Sequence, residues 1–236
     1  MRLCAWVLLL VMPAACDPSG GGDELRGSGD AARPAAPASA PAADAGRAGG
    51  PDQNPGSATT EVPSRLRVVF LGTSLTAGFG LLRESERYTA RLQEFADSAG
   101  LPVEAVNAGV SGDTSAGGLR RLDWLLEEPL DVLVVELGAN DGLRGLSPDA
   151  LEANLLEIVR RTRARYPDAA VVLAGMEAPP NMGEEYTRRF RRVFERVARE
   201  TGAARVPFLL EGVAGVPGLN QADGVHPTAA GHRRIA

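Results

Sequence analysis

The chain has 236 residues, 44% of them hydrophobic, with 30 acidic against 25 basic side chains and a net charge of −5. That length carries one full hydrophobic core with residues to spare. The absence of a long Lys/Arg run excludes nucleic-acid binding built on a basic stripe. The arginine clusters in 160–165 and 188–192 fall in helical patterns and read as solvated helix faces. Cysteine occurs only at Cys4 and Cys16 and histidine only at His226 and His232. Beyond residue 16 there is therefore neither a disulfide nor a cysteine-based metal site. No metal and no cofactor is expected, and any chemistry that needs an imidazole has two candidates.

In chain order, residues 1–15 read as an export signal: Arg2, the apolar run Leu3–Met12, then Pro13-Ala14-Ala15. The run is too short to span a bilayer, and small residues precede a possible cleavage point. Small residues directly before Cys16 resemble the bacterial lipoprotein lipobox, although Pro13 stands where an aliphatic residue is usual. The expectation is an exported cell-envelope lipoprotein, lipidated on Cys16 and touching a membrane only through that anchor. An ordinary secretory signal is the alternative. Residues 16–64 are dominated by Gly, Pro, Ala, Ser and Asp with almost no large apolar side chain, so they cannot bury enough surface to offset their ordering entropy. As a flexible tether, the segment Asp17–Ser64 would span roughly 35–40 Å.

Residues 65–236 alternate between two hydrophobic periods. Short apolar runs at 67–71, 103–106, 132–135 and 170–173, with a weaker one at 204–207, predict buried strands. Between them, Leu151, Leu155, Ile158 and Val159 share one helical face, as do Phe190, Val193, Phe194 and Val197. Ser147-Pro148 opens the first of these helices with proline at its favoured position. The pattern predicts an α/β fold: a three-layer α/β/α sandwich around a parallel sheet of about five strands, flavodoxin-like in type. Ligands of such sheets sit at the carboxyl ends of the strands, so reactive residues should directly follow them.

They do. The first strand runs into Gly72-Thr73-Ser74-Leu75, which exposes a serine in a tight turn, although such serines also serve as turn formers and helix caps. The second runs into Asn107-Ala108-Gly109-Val110-Ser111-Gly112-Asp113-Thr114, where glycine lets the backbone approach a ligand and Asp113 or Thr114 could cap a helix. The third reaches Gly138-Ala139-Asn140-Asp141, whose asparagine amide could donate to an oxyanion or simply hold a turn. Near the end, Asp223-Gly224-Val225-His226-Pro227 lets one loop present a carboxylate and an imidazole three residues apart. The carboxylate can then fix the ring's tautomer.

Taken in this order, the four segments resemble the sequence blocks of the SGNH (GDSL-like) hydrolase superfamily. Residues 69–81 correspond to the first block, with Thr73 where Asp is commoner, 106–119 to the second, 134–142 to the third and 223–228 to the fifth. The likeness is greatest to its small bacterial arylesterase, thioesterase and lysophospholipase branch, and it extends to Pro179–Gly183. It implies a serine esterase acting on small-molecule or lipid esters or thioesters through an acyl-enzyme. Ser74 would be the nucleophile, His226 the general base and Asp223 its orienting partner. The backbone N–H groups of Ser74 and Gly112 and the side-chain amide of Asn140 would form the oxyanion hole. Leu75, Phe79, Leu81 and Met182 could line an acyl groove, or be ordinary core, with Pro179–Gly183 as a lid. The alternatives are a carbohydrate O-deacetylase of the same superfamily and an exported binding module without catalysis. The family's last helix is typically longer than the segment after Thr228. The resemblance therefore implies a truncated final helix that leaves apolar surface on the sheet uncovered, and His232, on that segment, has a structural role or none.

Overall fold

The computed structural model describes residues 65–236. The segments read as an export signal and a tether, with Cys16, lie outside the described residues. Strand β1 (Leu66–Gly72) leads into the single-turn helix α1 (Ser74–Ala77), followed by α2 (Tyr88–Ser98), β2 (Val103–Gly109), α3 (Ser115–Leu125), β3 (Val132–Glu136) and α4 (Ala139–Leu143). Then come α5 (Pro148–Arg165), β4 (Ala170–Ala174), a 3-10 turn at Pro180–Met182, α6 (Glu184–Thr201), β5 (Ala204–Val206) and α7 (Ala229–Ile235). All five predicted strands form, each within a residue or three of its expected bounds. They pair in parallel in the order β2-β1-β3-β4-β5, the flavodoxin-like order.

The strands are short and apolar because helices cover the sheet on both sides. Alternate residues of β1 show this directly. Val69 and Leu71 enter the main core with Leu151, Leu155, Ile158, Phe190, Phe194 and Val197 of α5 and α6, and both predicted apolar helix faces are buried in full. Each fully buried side chain of this kind contributes about 1.5–3 kcal/mol. Ser147 caps α5 by accepting the Asp149 N–H, with Pro148 at the first helical position. Arg160 and Arg161 pair with Glu157, and Arg189 with Asp149, as solvated faces should. Val68 and Phe70 point the other way, toward Leu92, Phe95 and Leu101, where an open apolar groove of about 440 Å³ runs beside α2.

The order of strands reverses at β1, and the crevice beyond the carboxyl ends of β1 and β3 is where such folds hold ligands. Gly109, at the end of β2, is what lets α1 lie there. A Cβ on it would meet the Ala77 nitrogen at 2.2 Å. This second-block glycine makes room for a neighbouring helix; the close approach it permits is to the chain itself.

Candidate active site

Ser74 is the first residue of α1, and its Oγ lies 3.0 Å from His226 Nε2. His226 Nδ1 lies 2.6 Å from Asp223 Oδ2, whose other oxygen accepts the backbone N–H groups of Val225 and His226. The Asp-x-x-His loop thus closes on itself, and the carboxylate fixes which imidazole nitrogen faces the serine. The hydrogen bond from His226, together with the two backbone donors, lowers the Asp223 pKa to about 2. The Phe79 ring lies against His226, 4.6 Å between centroids, and restricts the imidazole from the solvent side.

The turn that carries Ser74 is held from below by a carboxylate the sequence reading did not single out. Glu136, fully buried at the end of β3, accepts the Thr73 N–H at 2.8 Å, the Thr76 N–H at 3.2 Å and the hydroxyls of both threonines. Burial pushes its pKa up, and these hydrogen bonds pull it back. Tyr88 extends the network. Burial first, and Glu136 second, raise its pKa and keep it protonated, so its hydroxyl donates to Thr76 Oγ1, 2.8 Å away. Thr73, noted only as a departure from the commoner Asp, is therefore a donor to Glu136. The available signal was an acid closing the apolar run Val132–Val135, a place where a charge is rare unless it is bonded.

The segment after β3 also fixes the second loop. Asn140 Nδ2 donates to the Asp113 carbonyl at 2.8 Å, which leaves its second N–H free, and Arg144 donates to the Gly112 carbonyl at 2.9 Å. Buried Asp141 accepts both the N–H and the hydroxyl of Ser115 at the start of α3. Thr114 caps α3 as predicted, accepting the Gly117 N–H, whereas Asp113 pairs with Arg121 at 2.7 Å. Among the described residues, no protein group accepts the N–H of Ser74 or Gly112.

Ser74, Asn140 and His226 share the wall of one cavity of about 390 Å³. Its apolar side is formed by Leu75, Leu143, Met176, Pro179, Phe208 and Val225. Of the four residues named for an acyl groove, Leu75 lines it, Phe79 covers the imidazole, and Leu81 and Met182 are not among its walls. Among the described residues, no group of three or more His, Cys, Asp or Glu side chains could hold a metal ion.

A flavodoxin-like sheet with a hydrogen-bonded Ser, His and Asp at the ends of its strands is the arrangement of a serine hydrolase. Residues 70–234 match the GDSL-like Lipase/Acylhydrolase family, and the chain belongs to it. It is 44% identical over 177 residues to "Esterase TesA" of Pseudomonas aeruginosa, covering 75% of this chain and 87% of that one. To "Thioesterase 1/protease 1/lysophospholipase L1" of Escherichia coli it is 38% identical over 162 residues, covering 68% and 74%. The crystal structure of the psychrotrophic esterase EstA from Pseudoalteromonas sp., inhibited by monoethylphosphonate, superimposes with a TM-score of 0.68 at 35% identity, over 72% of this chain and 91% of that one. The chain is a carboxylic ester hydrolase of this family.

Proposed function

We propose that the protein hydrolyses carboxylic esters or thioesters with an apolar acyl group, through an acyl-enzyme on Ser74. The observation that carries this is the continuous line Asp223–His226–Ser74, with contacts of 2.6 and 3.0 Å, opening on an apolar cavity. His226 takes the Ser74 proton as Oγ attacks the acyl carbonyl, and Asp223 stabilises the imidazolium that forms. The free N–H groups of Ser74 and Gly112 and the second N–H of Asn140 receive the oxyanion. His226 then protonates the leaving alcohol or thiol and afterwards activates the water that releases the acid.

The apolar walls and the names of the esterase and thioesterase/lysophospholipase relatives support an acyl chain rather than a carbohydrate acetate as the preferred group. The test is a nitrophenyl-ester series from acetate to palmitate with wild type and Ser74→Ala. Activity should vanish with the serine and peak above acetate. An optimum at acetate would favour the carbohydrate deacetylase reading, and retained activity in Ser74→Ala would refute the nucleophile. Export and lipidation of Cys16 form a further part of the proposal and rest on the sequence of residues 1–16. Palmitate labelling of wild type and not of Cys16→Ala supports them, and equal labelling of the two overturns them.

A further inference from the structure

A helix start leaves its first N–H groups without intrahelical partners, and the residue before the helix commonly supplies the missing acceptor. At α1 it does not. Thr73 stands in the capping position, yet its side chain accepts no N–H from the helix. Its hydroxyl is turned away and donates to Glu136.

We infer that Glu136 is the positioning residue of the nucleophile: a carboxylate supplied by β3 that caps α1 from another strand and so sets where Ser74 Oγ and the Ser74 N–H point. Its Oε2 accepts the N–H groups of Thr73 and Thr76, which bracket Ser74, and the Thr76 hydroxyl, while Oε1 accepts the Thr73 hydroxyl. The two backbone N–H groups tied down in this way lie one residue before and two residues after Ser74, and the Ser74 N–H itself is left for substrate. The four donors match the acceptor capacity of an ionised carboxylate. The Thr73 hydroxyl, turned from the helix, adds a donor to Glu136 that partly offsets the cost of burying its carboxyl. Because β1 and β3 are locked in register, Gly72 opposite Glu136, the cap and the serine cannot shift independently.

The inference rests on Ser74 being the nucleophile, and its test separates the two claims. In Glu136→Leu, which fills the space without an acceptor, kcat for a nitrophenyl ester should fall about 100-fold, as expected for a reacting group displaced by about 1 Å, with KM unchanged. Glu136→Gln offers one oxygen to the same donors and should recover kcat to within about tenfold of wild type. Wild-type kcat in a folded Glu136→Leu protein, or a glutamine variant no faster than the leucine one, would overturn the proposal. Should the leucine variant not fold, Glu136→Asp keeps the charge but withdraws it by one methylene. A loss of about tenfold in kcat at constant KM is expected, and full activity there would overturn the cap. Amide exchange at Thr73 and Thr76 reads the same cap without turnover. Exchange accelerated by Glu136→Gln less than by Glu136→Leu or Glu136→Asp in a Ser74→Ala background supports the cap even if the nucleophile were another residue, and unchanged exchange in all three rejects it.

Discussion

Among single residues, Asn140 has the most divided task. One of its amide protons holds the Asp113 carbonyl, and the other faces the cavity it shares with Ser74 and His226. In the proposed mechanism, replacing it by alanine removes an oxyanion donor and a tie between two loops together. Turnover should fall by about 100- to 1000-fold, with KM little changed because the donor is used mainly in the transition state. Steady-state kinetics on a nitrophenyl ester check this, and a change confined to KM would place Asn140 outside the oxyanion hole. Ser74 and Asn140 stood out in the sequence because each closely follows a strand, and Asp223 and His226 because one short loop through Gly224 presents both. Glu136 did not. Its partners are the N–H groups and hydroxyls of Thr73 and Thr76, just past another strand, and no spacing along the chain announces a hydrogen bond between segments 60 residues apart.

For the elements, α7 gives the clearest case of a structural histidine. His232 is 1% exposed, its Nδ1 accepts the Tyr88 N–H at the start of α2, and its ring stacks on Tyr88. Burial, with a smaller contribution from the charge of His226, lowers its pKa from 6.5 to about 4. A buried base held neutral stabilises the fold fully above the unfolded pKa, and that contribution is lost as pH falls from about 6.5 toward 4. The loss should approach about 3 kcal/mol. Asparagine can keep the acceptor without the titration. Thermal melts between pH 7.5 and 4.5 should therefore show a shallower decline for His232→Asn than for wild type, and equal slopes would remove His232 as the cause. The five strands and the helices α5 and α6 were readable from periodicity. What escaped were α1 and α4, too short to show a period, the helix α2, whose face was not picked out, and the acceptor that holds α1.

At the scale of the molecule, the main core and the catalytic edge lie at different depths of one sheet. Leu133 and Leu173 are fully buried within β3 and β4, below the loops that carry the chemistry. Leu173→Ala should cost about 2–5 kcal/mol through the cavity it leaves, read as a lower denaturant midpoint, while KM of the protein that remains folded stays unchanged. A shift in KM would mean that the strand transmits its packing to the site. Sheet order was only partly foreseeable. Apolar runs predict that five parallel strands form, whereas the placement of β1 between β2 and β3 comes from the right-handed crossovers and from which helix faces meet.

The contact between Ser74 and His226 joins positions 152 residues apart. At ordinary rates of synthesis, roughly 8–30 s separate the making of the nucleophile from the making of its base. Throughout that interval the serine is chemically ordinary, since nothing encoded nearby can take its proton. Hydrolysis therefore switches on late and all at once, when the loop holding Asp223 and His226 docks. A chain still held on the ribosome short of that loop carries a serine with no imidazole beside it.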